Sequence, residues 1–289
     1  MQNNKRDRKA QELIRTLTQE NREKHPGQDV KRPKINGNTN YVAVDPAGER
    51  VNKLLARLGI CSRREADAYI AAGRLTLNSQ PVALGTKVTS SDDLKLDGQP
   101  IKFKQQTAVY LALNKPCGIV CTTDLREKNN IVSYLGLSQR IFPIGRLDKD
   151  SSGLILLTND GAIVNEILRE RYNHSKEYEV TVDRPYDAHF VEQMQKGVKI
   201  LGQITKPCHL RRLTPTSFRL TLTQGLNRQI RRMCQALGYN VVRLQRIRIM
   251  QITLGNLAVG EYRYLTDKEI AALQADLSHN RTVTSTSQE

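Results

Sequence analysis

Apolar positions along the chain change period several times, and the changes mark its elements. In VNKLLARLGI, Val51, Leu54, Leu55 and Leu58 recur at i, i+3, i+4 and i+7, one face of a helix that Gly59 ends. The next run, CSRREADAYIAAG, predicts a second helix. Ser62 and Glu65 stand at capping-box spacing, Cys61 and Ala66 suit the accompanying apolar staple, and Gly73 suits the C-terminal cap. RLTLN then alternates as a strand, and LKLDGQPI reads as a hairpin across an Asp-Gly turn. This first folded unit is expected at 49–104. KFKQQTA links it to a second unit at 109–265. There the strands VYLALNKP, GIVCTT, LILLTN and KEYEVTVD, with further strands to about 265, alternate with helices near 161–170, 187–196 and 226–237. The mixture predicts an α+β fold, with a small domain followed by a larger one whose mixed, mainly antiparallel sheet is flanked by helices. TDKEIAALQADL predicts a closing helix with Thr266 and Glu269 as another capping box, so 266–289 should be that helix and a tail whose final dozen residues fray. Residues 1–48 mix charges with Asn, Pro and Gly without sustained periodicity, and are expected to be a disordered basic tail.

Charge narrows the partners. A formal net charge of +16 favours a regular polyanion, nucleic acid or an anionic membrane surface. Residues 1–28 lack the apolar core of a signal peptide, and no apolar run is long enough to span a bilayer, so a membrane role is not expected. The five cysteines, at 61, 117, 121, 208 and 234, form no C-x-x-C and no zinc-finger spacing, and the five histidines are scattered. Reduced thiols, no metal and a cytoplasmic location are the expectation.

The bases are also unevenly spread. Between Glu192 and Glu261 there is no acid, while Lys196, Lys199, Lys206, Arg211, Arg212, Arg219, Arg228, Arg231, Arg232, Arg243, Arg246 and Arg248 fall there. Surface solubility favours mixed signs, whereas a field of one sign suits a polyanion. Within this stretch GLNRQIRRMCQALG predicts an amphipathic helix, with Ile230, Met233, Cys234 and Leu237 as its apolar stripe and Arg228 and Arg232 pointing away. Arg231 lies at the edge of the stripe, where it either snorkels along the helix or reaches into a cleft.

GRLDKDSSGLILLTND, from Gly145 to Asp160, holds three acids, a Ser pair, a Gly and an apolar run. A calcium loop counted from Asp148 would need a bidentate Glu at its twelfth position, which is Asn159. A phosphatase D-x-D-x-S motif should follow a buried apolar strand, yet here IGR precedes and the apolar run comes after. A third reading is a single carboxylate, Asp148, on a loop leading into a buried strand that holds it rigidly, as a nucleophile needs. On the segment alone, a cap or a salt bridge is the better explanation of Asp148.

Four stretches in order, LNKPCGIVCTT, IGRLDKDSSGLILLTNDG, KEYEVTV and GLNRQIRRM, resemble the pseudouridine synthases of the RsuA branch, most nearly the group F enzymes of the large ribosomal subunit. VNKLLARLGICSRREADAYIAAGRLTLN resembles the S4 RNA-binding domain that many members carry ahead of the catalytic domain. The resemblance implies isomerisation of uridine to pseudouridine in 23S rRNA, in naked rRNA or an assembling large subunit, with a tRNA as a second candidate substrate. It implies a monomer and no cofactor, because the reaction gains no atom and changes no redox state. Asp148 would be the essential carboxylate, Arg231 its partner, and Tyr178 the residue stacking on the flipped uracil. Tyr178 also shares its strand face with Val180 and Val182, so it equally fits the core. Arg146, Arg228 and Arg232 would face the RNA near the site, as would Lys53, Arg57, Arg63 and Arg64 on the S4 helix pair. Lys115, in NKPCG, is expected to be structural or phosphate-facing rather than catalytic.

Overall fold

A computed structural model describes residues 47–103, 108–124, 126–137, 139–168 and 173–285. The expected basic tail lies outside these residues except for its last two. The described chain divides into two compact units, the smaller reaching Val109 and the larger beginning at Tyr110.

The smaller unit starts with β1 (Glu49–Arg50), α1 (Val51–Arg57) and α2 (Arg63–Ala71). The reciprocal cap forms as its spacing requires: Glu65 N donates to Ser62 Oγ at 3.1 Å and Ser62 N to Glu65 Oε2 at 2.6 Å. Next come β2 (Leu75–Leu77), β3 (Gln80–Pro81), β4 (Lys87–Val88), β5 (Leu94–Leu96) and β6 (Gln99–Pro100). β4 pairs with β1, and the other four form an antiparallel sheet in the order β3-β2-β5-β6. Asp97 and Gly98 both have positive φ, the mirror-image turn that suits a two-residue hairpin. Val51, Leu54, Leu55, Cys61, Ala66 and Ile70 bury the helix faces on Leu75 and Leu94 of the sheet.

One acid departs from the sequence expectation. Glu49 is buried, and its carboxylate takes Arg57 Nε at 2.9 Å and Nη2 at 2.7 Å, together with Lys53 Nζ at 3.2 Å. The three residues fall at i, i+4 and i+8, so one carboxylate serves both bases. The Arg57 side chain is only 9% exposed. Arg57 is therefore a structural ion-pair partner and not a free contact for RNA, while Lys53 stays 41% exposed and Arg63 and Arg64 are exposed. Breaking a buried pair strands the surviving charge, so Glu49→Ala should destabilise the small unit by about 3–5 kcal/mol. Denaturant unfolding of the variant checks this, and a change below about 1 kcal/mol would mean that Arg57 finds water instead.

The larger unit opens with β7 (Tyr110–Lys115), α3 (Ile131–Leu135), β8 (Phe142–Ile144), β9 (Ser152–Thr158) and α4 (Gly161–Leu168). It continues through β10 (Lys176–Val182), α5 (Ala188–Lys196), β11 (Lys199–Ile200), β12 (Gln203–Ile204), β13 (His209–Arg212) and β14 (Ser217–Leu222). It ends with α6 (Gln229–Ala236), β15 (Val241–Ile249), β16 (Ile252–Thr253), β17 (Tyr262–Tyr264) and α7 (Asp267–Ser285). Its main sheet runs β13-β14-β10-β15-β9-β7-β17, with β8 added on β9 and β16 on β15. All pairings in it are antiparallel except β9 with β15. Two features differ from the sequence expectation. GIVCTT is a loop touching Asn130 through one bridge at Val120, and Cys121 accepts from Leu147 N of the loop after β8 rather than joining a ladder. Helix α3, capped by Asn130, leaves no signal in the sequence, since five residues are too few to show a helical period. The cap at Thr266 and Glu269 forms, and the backbone of α7 runs on to Ser285, into the segment expected to fray.

Candidate active site

The loop between β8 and β9, residues 145–151, carries Asp148 and is held from several sides. Leu147 N donates to Cys121 Sγ at 3.4 Å, Gly118 N donates to Lys149 O at 2.7 Å, and Cys117 Sγ lies 3.5 Å from Asp150 O. Ser151 N closes a turn onto Asp148 O at 3.1 Å. The apolar run that follows, Leu154 to Leu157, is wholly buried as β9 and fixes the loop's far end. Asp148 is left half-buried, and its carboxylate has no hydrogen-bond or ion-pair partner among the described residues.

Asp148 lines a cleft of about 500 Å³, with Arg146, Tyr178, Gln224, Arg228 and Arg246 among its walls. That volume suits a single nucleotide. Tyr178 is 9% exposed and stands beside Arg246 and Leu220 in the ladders of β10 with β15 and β14. Val180 and Val182 on the same face are fully buried. Both readings of Tyr178 therefore hold: the ring packs at the end of the core and also forms a wall of the cleft. Its hydroxyl has no partner among the described residues. Arg146 and Arg228 are exposed at the rim, and Arg228 Nη1 lies 3.6 Å from Asp150 Oδ2.

Arg231 does not meet Asp148. Its Nη2 donates to Asp150 O at 2.9 Å and Ser151 Oγ at 3.4 Å, and its Nη1 to Val241 O at 3.2 Å. Helix α6 holds the guanidinium against the loop, so the residue clamps the second and third positions after the carboxylate instead of pairing with it. Arg232 folds back onto Asn227 and is not a wall of the cleft. The acid-free stretch is also less positive in space than in sequence. Glu177 and Glu179 project from β10 and pair with Arg248 at 3.0 Å and Arg219 at 2.8 Å, across the strands on either side.

Sequence reasoning missed Arg246 and Gln224, both walls of the cleft. Gln224 is buried and accepts from Lys206 N at 3.0 Å. Arg246 was hidden by a register shift between β10 and β15 at Glu177/Tyr178. Strict alternation would group positions 244, 246 and 248, whereas Leu244, Arg246 and Ile249 line the cleft and Arg248 turns to Glu177. Among the described residues, no cluster of three or more His, Cys, Asp or Glu side chains could hold a metal ion, and no helix is long and apolar enough to cross a membrane.

Lys115 ends β7 with no exposed surface, and its Nζ donates to Pro116 O at 2.8 Å and Ile119 O at 2.9 Å. It is structural, not phosphate-facing. Burial lowers its pKa from 10.5 to about 8. Between those values the unfolded chain holds a proton that the folded chain lacks, so this group makes stability rise with pH across that window. Unfolding free energies of wild type and Lys115→Met, measured from pH 7.5 to 10.5, should diverge in slope by up to ~1.4 kcal/mol per pH unit. Parallel curves would refute the assignment.

Comparison with known proteins follows the same two units. The S4 domain family matches residues 49–94, and the RNA pseudouridylate synthase family matches 109–236. Dual-specificity RNA pseudouridine synthase RluF of Escherichia coli strain K12 is 51% identical over 225 residues, 78% of either chain. Ribosomal large subunit pseudouridine synthase B of Bacillus subtilis is 34% identical over 242 residues, 81% of this chain and 98% of the relative. Ribosomal small subunit pseudouridine synthase A of E. coli K12 is 38% identical over 231 residues, 78% of this chain and 99% of the relative. A crystal structure of a pseudouridylate synthase superposes with a TM-score of 0.55 at 30% identity, covering 78% of this chain and 99% of the other. Identity of this depth, spread over both units, means that the chain belongs to the RNA pseudouridine synthase family and isomerises uridine in RNA.

Proposed function

We propose that the chain modifies a uridine of 23S rRNA in the cytoplasm, as a monomer, with Asp148 as the reactive carboxylate. The observation that carries this reading is a half-buried Asp148, unpartnered among the described residues, on a clamped loop and sharing a nucleotide-sized cleft with Tyr178. A relative named for the large ribosomal subunit, 34% identical, supports rRNA, and the words "dual-specificity" in the name of another, 51% identical, favour a tRNA as an additional substrate.

In this reading the target uridine leaves its stack, at a cost of a few kcal/mol that is least in a loop or bulge. Its uracil lies on the Tyr178 ring. Asp148 assists cleavage of the N1–C1′ bond, the base turns, and C5 bonds to C1′ while its proton is lost. Tyr178 lines the cleft and is assigned the relay of that proton, while N1 of the released base takes up a proton, so substrate and product remain isomers. Arg146 and Arg228 at the rim meet phosphates, with Arg232 as a more distant contact. No cofactor is needed, since substrate and product are isomers. Residues 49–104 dock the RNA through Lys53, Arg63 and Arg64, and 109–265 carry the chemistry.

Two experiments test this. With 23S rRNA carrying tritium at uridine C5 and chelator present, wild type should release tritium while Asp148→Asn, folded normally, is slower by ~10⁴-fold or more, the scale of removing a reacting group. Release by both proteins at equal rates would reassign the carboxylate. Separately, Arg63→Ala with Arg64→Ala should weaken RNA binding and lower the slope of log affinity against log salt by about 1–2, roughly one unit for each phosphate no longer neutralised. An unchanged slope would remove this face from the interface.

A further inference from the structure

Arg246 is 3% exposed, and among the described residues no carboxylate pairs with it. Its Nε donates to Leu154 O at 2.7 Å and its Nη1 to Arg146 O at 3.5 Å. Those carbonyls lie on either side of Asp148 along the chain, one within its loop and one in β9. Its Nη2 is buried with no partner among the described residues. The side chain forms a wall of the same cleft as Asp148, and Asp148 is the one acid among the described residues lining it.

The placement is built into the sheet. Arg246 stands on β15 between Tyr178 on β10 and Gly153 on β9. Gly153 has φ +101°, and a Cβ there would lie 2.7 Å from Arg246 N, so only glycine lets the two strands meet at this point. A guanidinium does not shed its proton, and burying one without a counter-charge is unfavourable. Arg246 lines the cleft, and among the described residues the cleft holds a single acid.

We propose that Arg246 is a positioning residue for Asp148. It braces both ends of the loop, and it supplies the positive charge that compensates the carboxylate's desolvation when a base fills the cleft. Arg231, which the family resemblance put in that role, grips the loop's backbone from outside the cleft. The proposal rests on Asp148 as the reactive carboxylate. If Asp148→Asn turns over normally, that reading fails, and the Arg246 variants then report on a different site.

The test is single-turnover tritium release by Arg246→Met and Arg246→Lys, with RNA affinity and melting temperature measured alongside. Arg246→Met should slow release by ~10²-fold or more with affinity within about threefold, the pattern of a lost electrostatic contribution to the transition state. Arg246→Lys keeps the charge but not the Leu154 bond, and should recover about tenfold or more of that loss. A purely structural residue would leave both variants equally slow, with loss tracking melting temperature. The proposal is overturned by a Met variant within about threefold of wild type, or by Lys no faster than Met. If Arg246→Met does not fold, Arg246→Gln replaces it: a donor without charge should be slower than Lys by about tenfold, and equal rates overturn the proposal.

Discussion

The single parallel contact in the main sheet, where β15 meets β9 at Gly153, sets the geometry of the site. Both strands enter from distant parts of the chain, yet Arg246 and Gly153 must stand side by side. The glycine removes the side chain that would hold the backbones apart. The arginine then reaches past it to two carbonyls of the neighbouring strand and loop. The loop bearing Asp148 is in this way an extension of the sheet's interior. Rigidity matters, because a nucleophile or base displaced by about an ångström loses much of its effect.

The same sheet explains how so basic a chain remains well paired. Along the sequence the region from 193 to 260 carries no acid. In the fold, β10 lies between β14 and β15 and brings Glu177 and Glu179 to Arg248 and Arg219. In the small unit Glu49 does likewise for Lys53 and Arg57. The positive charge left without a carboxylate is therefore more selective than composition suggests. Among the described residues at the cleft it is Arg146 at the rim and Arg246 in the wall; Arg228 is only loosely tied to Asp150.

Much of the architecture was legible in the sequence because its signals are local. The Ser62 and Glu65 cap, the Asp97-Gly98 turn and the apolar stripe of α6 each depend on neighbours within a few residues, and each forms. The ordered motifs around Asp148 and Tyr178 placed both on one cleft. What the sequence hid is non-local. Arg57 looks like a solvent-facing base until Glu49 is seen beneath it. GIVCTT has strand composition, yet its place is beside a loop. Arg231 sits at the expected point on α6, but the reach of its guanidinium depends on where residues 150 and 151 lie.

Arg246 shows most plainly why period alone was insufficient. VVRLQRIRI alternates well enough to predict a strand, and the rule that alternate residues share a face puts Arg246 with Arg248. A single irregularity opposite Tyr178 separates them, turning Arg248 to a glutamate and Arg246 to the cleft. A bulge of this kind re-aims one side chain without altering the strand's composition, so it leaves no mark in the sequence. The consequence is chemical. Arg248 is paired with a glutamate, whereas Arg246 is an enclosed charge in the wall of the cleft, with no carboxylate partner among the described residues. Two arginines two residues apart, identical in type and in strand, are thus divided into support and site by the backbone alone.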